Sequence, residues 1–109
     1  SLRGPRTAVL LTLGQSNAAN EGEFSPVDAP GVFNFNFFDG RCYAARDPLL
    51  GTTGNGSPVW TRLGRDLIAA GLFDRVVVAP IAVGGSGIRR WVPGGDLFPR
   101  IGRVQAGLD

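Results

Sequence analysis

Along the chain the apolar and polar positions change period several times, and each change marks an element. Residues 7–13 form a short, nearly continuous apolar run closed by Gly14, which predicts a first strand covered on both faces. Residues 32–38 alternate apolar with polar at period two between Pro30-Gly31 and Asp39-Gly40, which predicts a half-buried strand on the edge side of a sheet. From 39 to 57 the chain carries Gly, Pro, Asp, Asn and Thr without period. So long a stretch in a small domain predicts a functional or packed Ω-type excursion. Ser57-Pro58 then supplies a helix cap and a first helical residue. Behind it Trp60, Leu63, Leu67 and Ile68 share one stripe of a predicted helix, Arg62, Arg65 and Asp66 share the other, and Gly71 stands where the helix ends. Residues 75–83 are rich in β-branched side chains and stop at Gly84-Gly85; they predict a strand in which Pro80, lacking an N–H, makes a bulge or local break. Leu97, Ile101, Val104 and Leu108 set a last helix over 96–108.

Strand, excursion, helix, strand, helix is the order of an α/β sheet with parallel strands and crossover helices. Such sheets carry their chemistry outside the carboxyl ends of the strands, here residues 14–17 and 84–87.

Composition narrows the chemistry. With 109 residues, 43% hydrophobic and 18% charged, the chain reads as one small domain with room for one modest core and not for two. All 11 basic residues are arginine and histidine is absent. Within these residues that excludes a Schiff-base or P-loop lysine, an imidazole zinc site and any Ser-His or Cys-His relay. No cofactor and no metal are expected. The lone Cys42 forms no internal disulfide. A net charge of +2 with scattered arginines points away from nucleic acid. No apolar run approaches the roughly 20 residues of a membrane span, and residues 1–7 lack the apolar segment of a signal peptide.

Three constellations carry candidate chemistry. Gly14-Gln15-Ser16-Asn17 follows a strand directly, so Ser16 stands at a sharp strand-to-helix turn with following N–H groups aimed at any oxyanion formed there; a plain N-cap accounts for the same spacing. Gly84-Gly85-Ser86-Gly87 offers a nest of amide donors or, equally, a tight connection needing only small residues. Arg89, Arg90 and Trp91 supply a cationic pair and a ring for an anion or sugar, or a solvated face and a core residue. Residues 51–57 resemble a phosphate loop only superficially, lacking lysine and a preceding strand, and read as a flexible rim.

Leu11-Thr12-Leu13-Gly14-Gln15-Ser16-Asn17 resembles the first block of the SGNH hydrolase superfamily, in the branch of sialate O-acetylesterases and acetylxylan-type carbohydrate esterases. Residues 83–91 resemble that branch's glycine block followed by an aromatic, and 47–51 with 57–60 also look similar to it. The resemblance implies a flavodoxin-like, three-layer α/β/α fold and a serine esterase that removes acetyl groups from saccharides. By position Ser16 is then the nucleophile, and the N–H groups of Ser16 and Gly85 are the oxyanion donors. Gln15 and Asn17 set the turn and, with Ser86 and Trp91, form the substrate-binding set. The family's third block, with a polar oxyanion side chain, and its closing Asp-x-x-His do not occur in residues 1–109.

Three expectations follow. These residues form a single partial domain, about the first half of an SGNH domain; the carboxy-terminal half lies beyond Asp109, and the His/Asp relay comes from there or from another chain; and residues 1–109 alone are nearly inactive, because losing general-base help costs about 10²–10⁴ in rate. The strand over 76–83, read as buried on both faces and paired on both edges with no later strand to cover it, points the same way. The resemblance favours a secreted or periplasmic setting through the family's usual polysaccharide substrates. The rival reading is a non-catalytic carbohydrate- or anion-binding module built on the glycine turns and Trp91. A nucleotide-phosphate site at 84–90 is weaker still, since no Gly-x-Gly-x-x-Gly follows a strand.

Overall fold

The computed structural model describes residues 6–108, so most of the leading segment weighed above as a signal peptide lies outside the described residues. The chain forms a small α/β domain with strands β1 (Thr7–Thr12), β2 (Val32–Asn36), β3 (Arg41–Ala44) and β4 (Arg75–Pro80) and helices α1 (Trp60–Ala69) and α2 (Phe98–Leu108). The strands make one four-stranded sheet in the order β1-β4-β2-β3. β4 runs parallel to both β1 and β2, and β3 is antiparallel to β2. This mostly parallel sheet is compatible with a flavodoxin-like fold. No helix among the described residues is long and apolar enough to cross a membrane.

β4 is the axis of the sheet. Its β-branched run is fully buried because alternate residues enter two different clusters. Val77 and Ala79 join Phe35, Trp91, Leu97 and, from α2, Val104 and Leu108. Val76 and Val78 join Val32, Leu49 and, from α1, Trp60, Leu67 and Ile68. Period two along one strand thus serves two cores, where composition suggested one. β4 is also paired on both edges, so no later strand is needed to cover it. Among the described residues the sheet is left open at two edges, that of β3, which pairs only with β2, and that of β1, which pairs only with β4. Residues 7–11 there are half-buried rather than covered on both faces.

β4 ends at Pro80 rather than at residue 83, but its hydrogen bonding toward β1 continues past the proline. Ile81 and Val83 continue to donate to the Thr12 and Gly14 carbonyls of the β1 side at 2.8 and 3.1 Å. Pro80 itself alternates toward β2, whose register with β4 has already ended at Asn34↔Val78, so its missing donor is not required.

β2 is an inner strand, not an edge one, because the aperiodic stretch contributes the unforeseen strand β3. All four β3 residues are exposed, so they carry no alternation for a sequence reading to detect. The alternation of β2 also misled. Asn34, a polar position assigned to solvent, is 1% exposed, and its amide donates to Leu50 O and accepts from Leu50 N at 3.1 and 2.6 Å.

α1 starts later than its signals suggested. Ser57 does not cap it; the N-cap is Val59 without a side-chain bond, while Ser57 Oγ accepts the Ser25 N–H. The buried face centres on Thr61 and Gly64, and Leu63 is exposed. A Cβ at Gly64 would stand 3.0 Å from Val32 Cγ2, so the glycine lets the helix axis approach the sheet closely. The helix ends as expected at Gly71, with Gly71 N–H on Ile68 O and Leu72 N–H on Leu67 O, a Schellman pair.

Candidate active site

β1 and β4 are adjacent and parallel, so the turns at their carboxyl ends lie side by side. The first turn reverses direction at Gly14, whose φ of +130° suits glycine. Gln15 O then accepts the N–H groups of Ala18 and Ala19 at 2.9 and 3.1 Å, closing the 3-10 turn Ser16–Ala18. Gln15, Ser16 and Asn17 are exposed, whereas Ala19 and Asn20 are buried and anchor the exit. Ser16 is therefore the first residue of the turn rather than its N-cap, a position that Gln15 holds. From α1, Trp60 Nε1 donates to Ala18 O at 2.9 Å and pins the turn from behind.

The second turn is fastened to the first. Gly14 O accepts Val83 N–H at 3.1 Å and the Ser86 hydroxyl at 3.0 Å. The single Ser86 hydroxyl proton is shared between that carbonyl and Val83 O, 2.7 Å away, while Ser86 Oγ accepts Trp91 Nε1–H at 3.0 Å. These bonds correct two expectations. Ser86 is 3% exposed and Trp91 5%; both are consumed in bracing the turns, and neither presents a face to a ligand. Gly85, at a φ of +73°, is exposed. Around it Gly84 N–H goes to Thr53 Oγ1 at 2.7 Å and Ser86 N–H to Val83 O at 3.2 Å. Among the described residues no acceptor takes the N–H of Gly85 or of Ser16. Two exposed, unpaired donors thus stand on neighbouring turns beside an exposed hydroxyl.

Residues 51–57 are bound in place, not a flexible rim. Thr53 N–H donates to Ala82 O at 3.2 Å, Asn20 N–H to Thr53 O at 2.8 Å and Gly56 N–H to Asn20 O at 2.7 Å. At the end of this stretch Ser57 lines a cleft of about 240 Å³ together with Ser16, Asn17, Ala19, Glu21 and Pro58. Asn20, Glu21 and Thr53 were not singled out from the sequence. The one available signal was a polar residue, Asn20, placed directly after Ala18 and Ala19, the second of which the fold buries.

Arg90 is committed to Asp96 through two bonds of 3.0 and 2.9 Å, which hold the Asp96 carboxyl below its ordinary range; both side chains are well exposed, so the pair adds little stability. Arg89 is exposed on the 3-10 turn Ile88–Arg90. A larger cavity of about 420 Å³, bordered by Tyr43, Arg46, Asp47 and Leu50, shares no lining residue with the glycine turns. Size alone does not select the site; the exposed hydroxyl and free donors do.

No family model matches the chain, and no curated protein does. Among solved structures it is similar to a protein of Arabidopsis thaliana determined by X-ray crystallography, with a TM-score of 0.75 at 19% identity. The match covers 94% of this chain and 52% of that protein, so the chain spans about half its length.

Proposed function

We propose that these residues are the nucleophile-bearing part of a serine carbohydrate O-acetylesterase with an SGNH-type, three-layer α/β/α architecture. Ser16 Oγ attacks the acetyl carbonyl carbon and gives up its proton to a base. The carbonyl oxygen becomes an oxyanion between the Ser16 and Gly85 N–H groups. The tetrahedral intermediate collapses with departure of the sugar hydroxyl, protonated by the same base. Water then hydrolyses the acetyl-serine to acetate. Since residues 1–109 hold no histidine, the relay His and its Asp are supplied from outside them.

The observation that carries the reading is the pair of exposed, unpaired N–H groups on two turns joined through Gly14 O. Such donors are worth about 2.7–4 kcal/mol each when aimed at a developing oxyanion. The Gly-Gln-Ser-Asn resemblance supports it. The binding-module alternative loses its stacking platform, since the Trp91 ring is buried.

The test is turnover of an aryl acetate by the full-length protein with and without Ser16→Ala. The variant is expected to lose about 10³-fold or more in kcat/KM. Undiminished turnover ends the assignment.

A further inference from the structure

We propose that Glu21 sets the charge preference of the cleft beside Ser16, so that the substrates are uncharged acyl saccharides and esters bearing a carboxylate near the scissile bond are disfavoured. This rests on the reading of Ser16 as nucleophile.

Among the described residues lining the cleft, Glu21 is the one charged side chain. Glu21 is exposed, and one contact ties its carboxylate to a braced neighbour. Thr53 Oγ1 donates to Glu21 Oε1 at 3.3 Å, and the same Oγ1 accepts Gly84 N–H at 2.7 Å. A Cβ on Gly84 would stand 2.8 Å from Glu21 Oε1. The carboxylate therefore lies against the turn that carries Gly85, and Glu21 lines the same cleft as Ser16. Thr53 is itself locked through its backbone to Ala82 and Asn20.

Among the described residues no arginine lines the cleft to offset this charge. Arg90 pairs with Asp96, Arg62 donates to Ser25 O and Oγ, and Arg89 does not line the cleft. A fixed negative charge within a Debye length of a bound substrate repels a second one and leaves a neutral group untouched. Discrimination by a repulsive element is an ordinary route to specificity. Any effect of Glu21 on the oxyanion itself is common to all esters, so a ratio between substrates isolates the effect on substrate charge.

The experiment compares a methyl O-acetyl-glucoside with the matching O-acetyl-glucuronate on the full-length protein. Glu21→Gln, which retains an oxygen for Thr53, is expected to raise the glucuronate-to-glucoside ratio of kcat/KM about three- to tenfold. Raising salt from about 0.02 to about 0.5 M is expected to narrow the unmutated protein's preference by a similar factor. The salt series needs no substitution and stands even where the variant folds poorly. A ratio that Glu21→Gln leaves unchanged, or a preference indifferent to salt, overturns the proposal while leaving Ser16 in place. Hydrolysis of neither substrate, or hydrolysis that survives Ser16→Ala, overturns the Ser16 reading and this one with it.

Discussion

Tyr43 and Asp39 show how a local pair is set by neighbouring backbone. Asp39 Oδ1 accepts Arg41 N–H at 2.9 Å, and its other oxygen accepts the Tyr43 hydroxyl across the hairpin. Those bonds hold the Asp39 carboxyl below its ordinary 3.8, the Tyr43 contribution being the larger, and the same bond pushes the phenol above its ordinary 10.0. The signs follow. Asp39's contribution is present above pH 3.8 and lost as pH falls through its lower folded value; Tyr43's is present below pH 10.0 and lost as pH rises through its higher one. Both groups are exposed, so the effect on stability is small. Tyr43 is the one tyrosine of the chain, and its ultraviolet titration isolates the pair. The midpoint is expected above 10.0, returning toward it in Asp39→Asn; a midpoint at or below that value in the unmutated protein contradicts the pairing. At this scale the sequence was legible where chain direction decides the outcome. Ser16 and Gly85 fall at strand ends and both are exposed. It was not legible where burial decides, because Ser86 and Trp91 next to a glycine turn suit a ligand platform and an internal brace alike.

At the level of elements, two buried asparagines hold the excursion in place. Asn20 Nδ2 donates to Leu49 O and its Oδ1 accepts Leu49 N–H, at 2.7 and 2.9 Å, and Asn34 treats Leu50 in the same way. Thr61 of α1 adds a bond to Asp47 at 2.7 Å. Asn20→Ala leaves the Leu49 N–H and carbonyl buried without partners, and is expected to destabilise the protein by about 2–4 kcal/mol in urea unfolding. A change under about 0.5 kcal/mol would mean that solvent reaches these groups. β1, β4 and α2 were readable because their periods reflect burial by the sheet or core. In α1 the stripe was readable at Trp60, Leu67 and Ile68 but not at Leu63, which is exposed, and β3 was not readable at all. The exposed Arg-Cys-Tyr-Ala strand has no alternation to read, and α1 turns its small residues inward at Thr61 and Gly64 in response to Asp47 and Val32, which sequence spacing does not reveal.

For the whole molecule, a sheet whose central strand β4 is buried on both faces brings the ends of β1 and β4 together, and the likeness to the Arabidopsis structure extends over about half of that protein. β1 ends in the serine turn and keeps one edge unpaired among the described residues. In the proposed architecture, further strands join at that edge and bring the base to Ser16. The central claim is that one oxygen can be shared by the two neighbouring turns. The most direct measurement is a crystal structure of the full-length protein after reaction with a serine-directed aryl phosphonate. The account predicts a covalent bond from Ser16 Oγ to phosphorus, with the phosphoryl oxygen about 2.7–3.1 Å from the amide nitrogens of both Ser16 and Gly85. An unmodified Ser16, or a phosphoryl oxygen pointing away from Gly85, would contradict it.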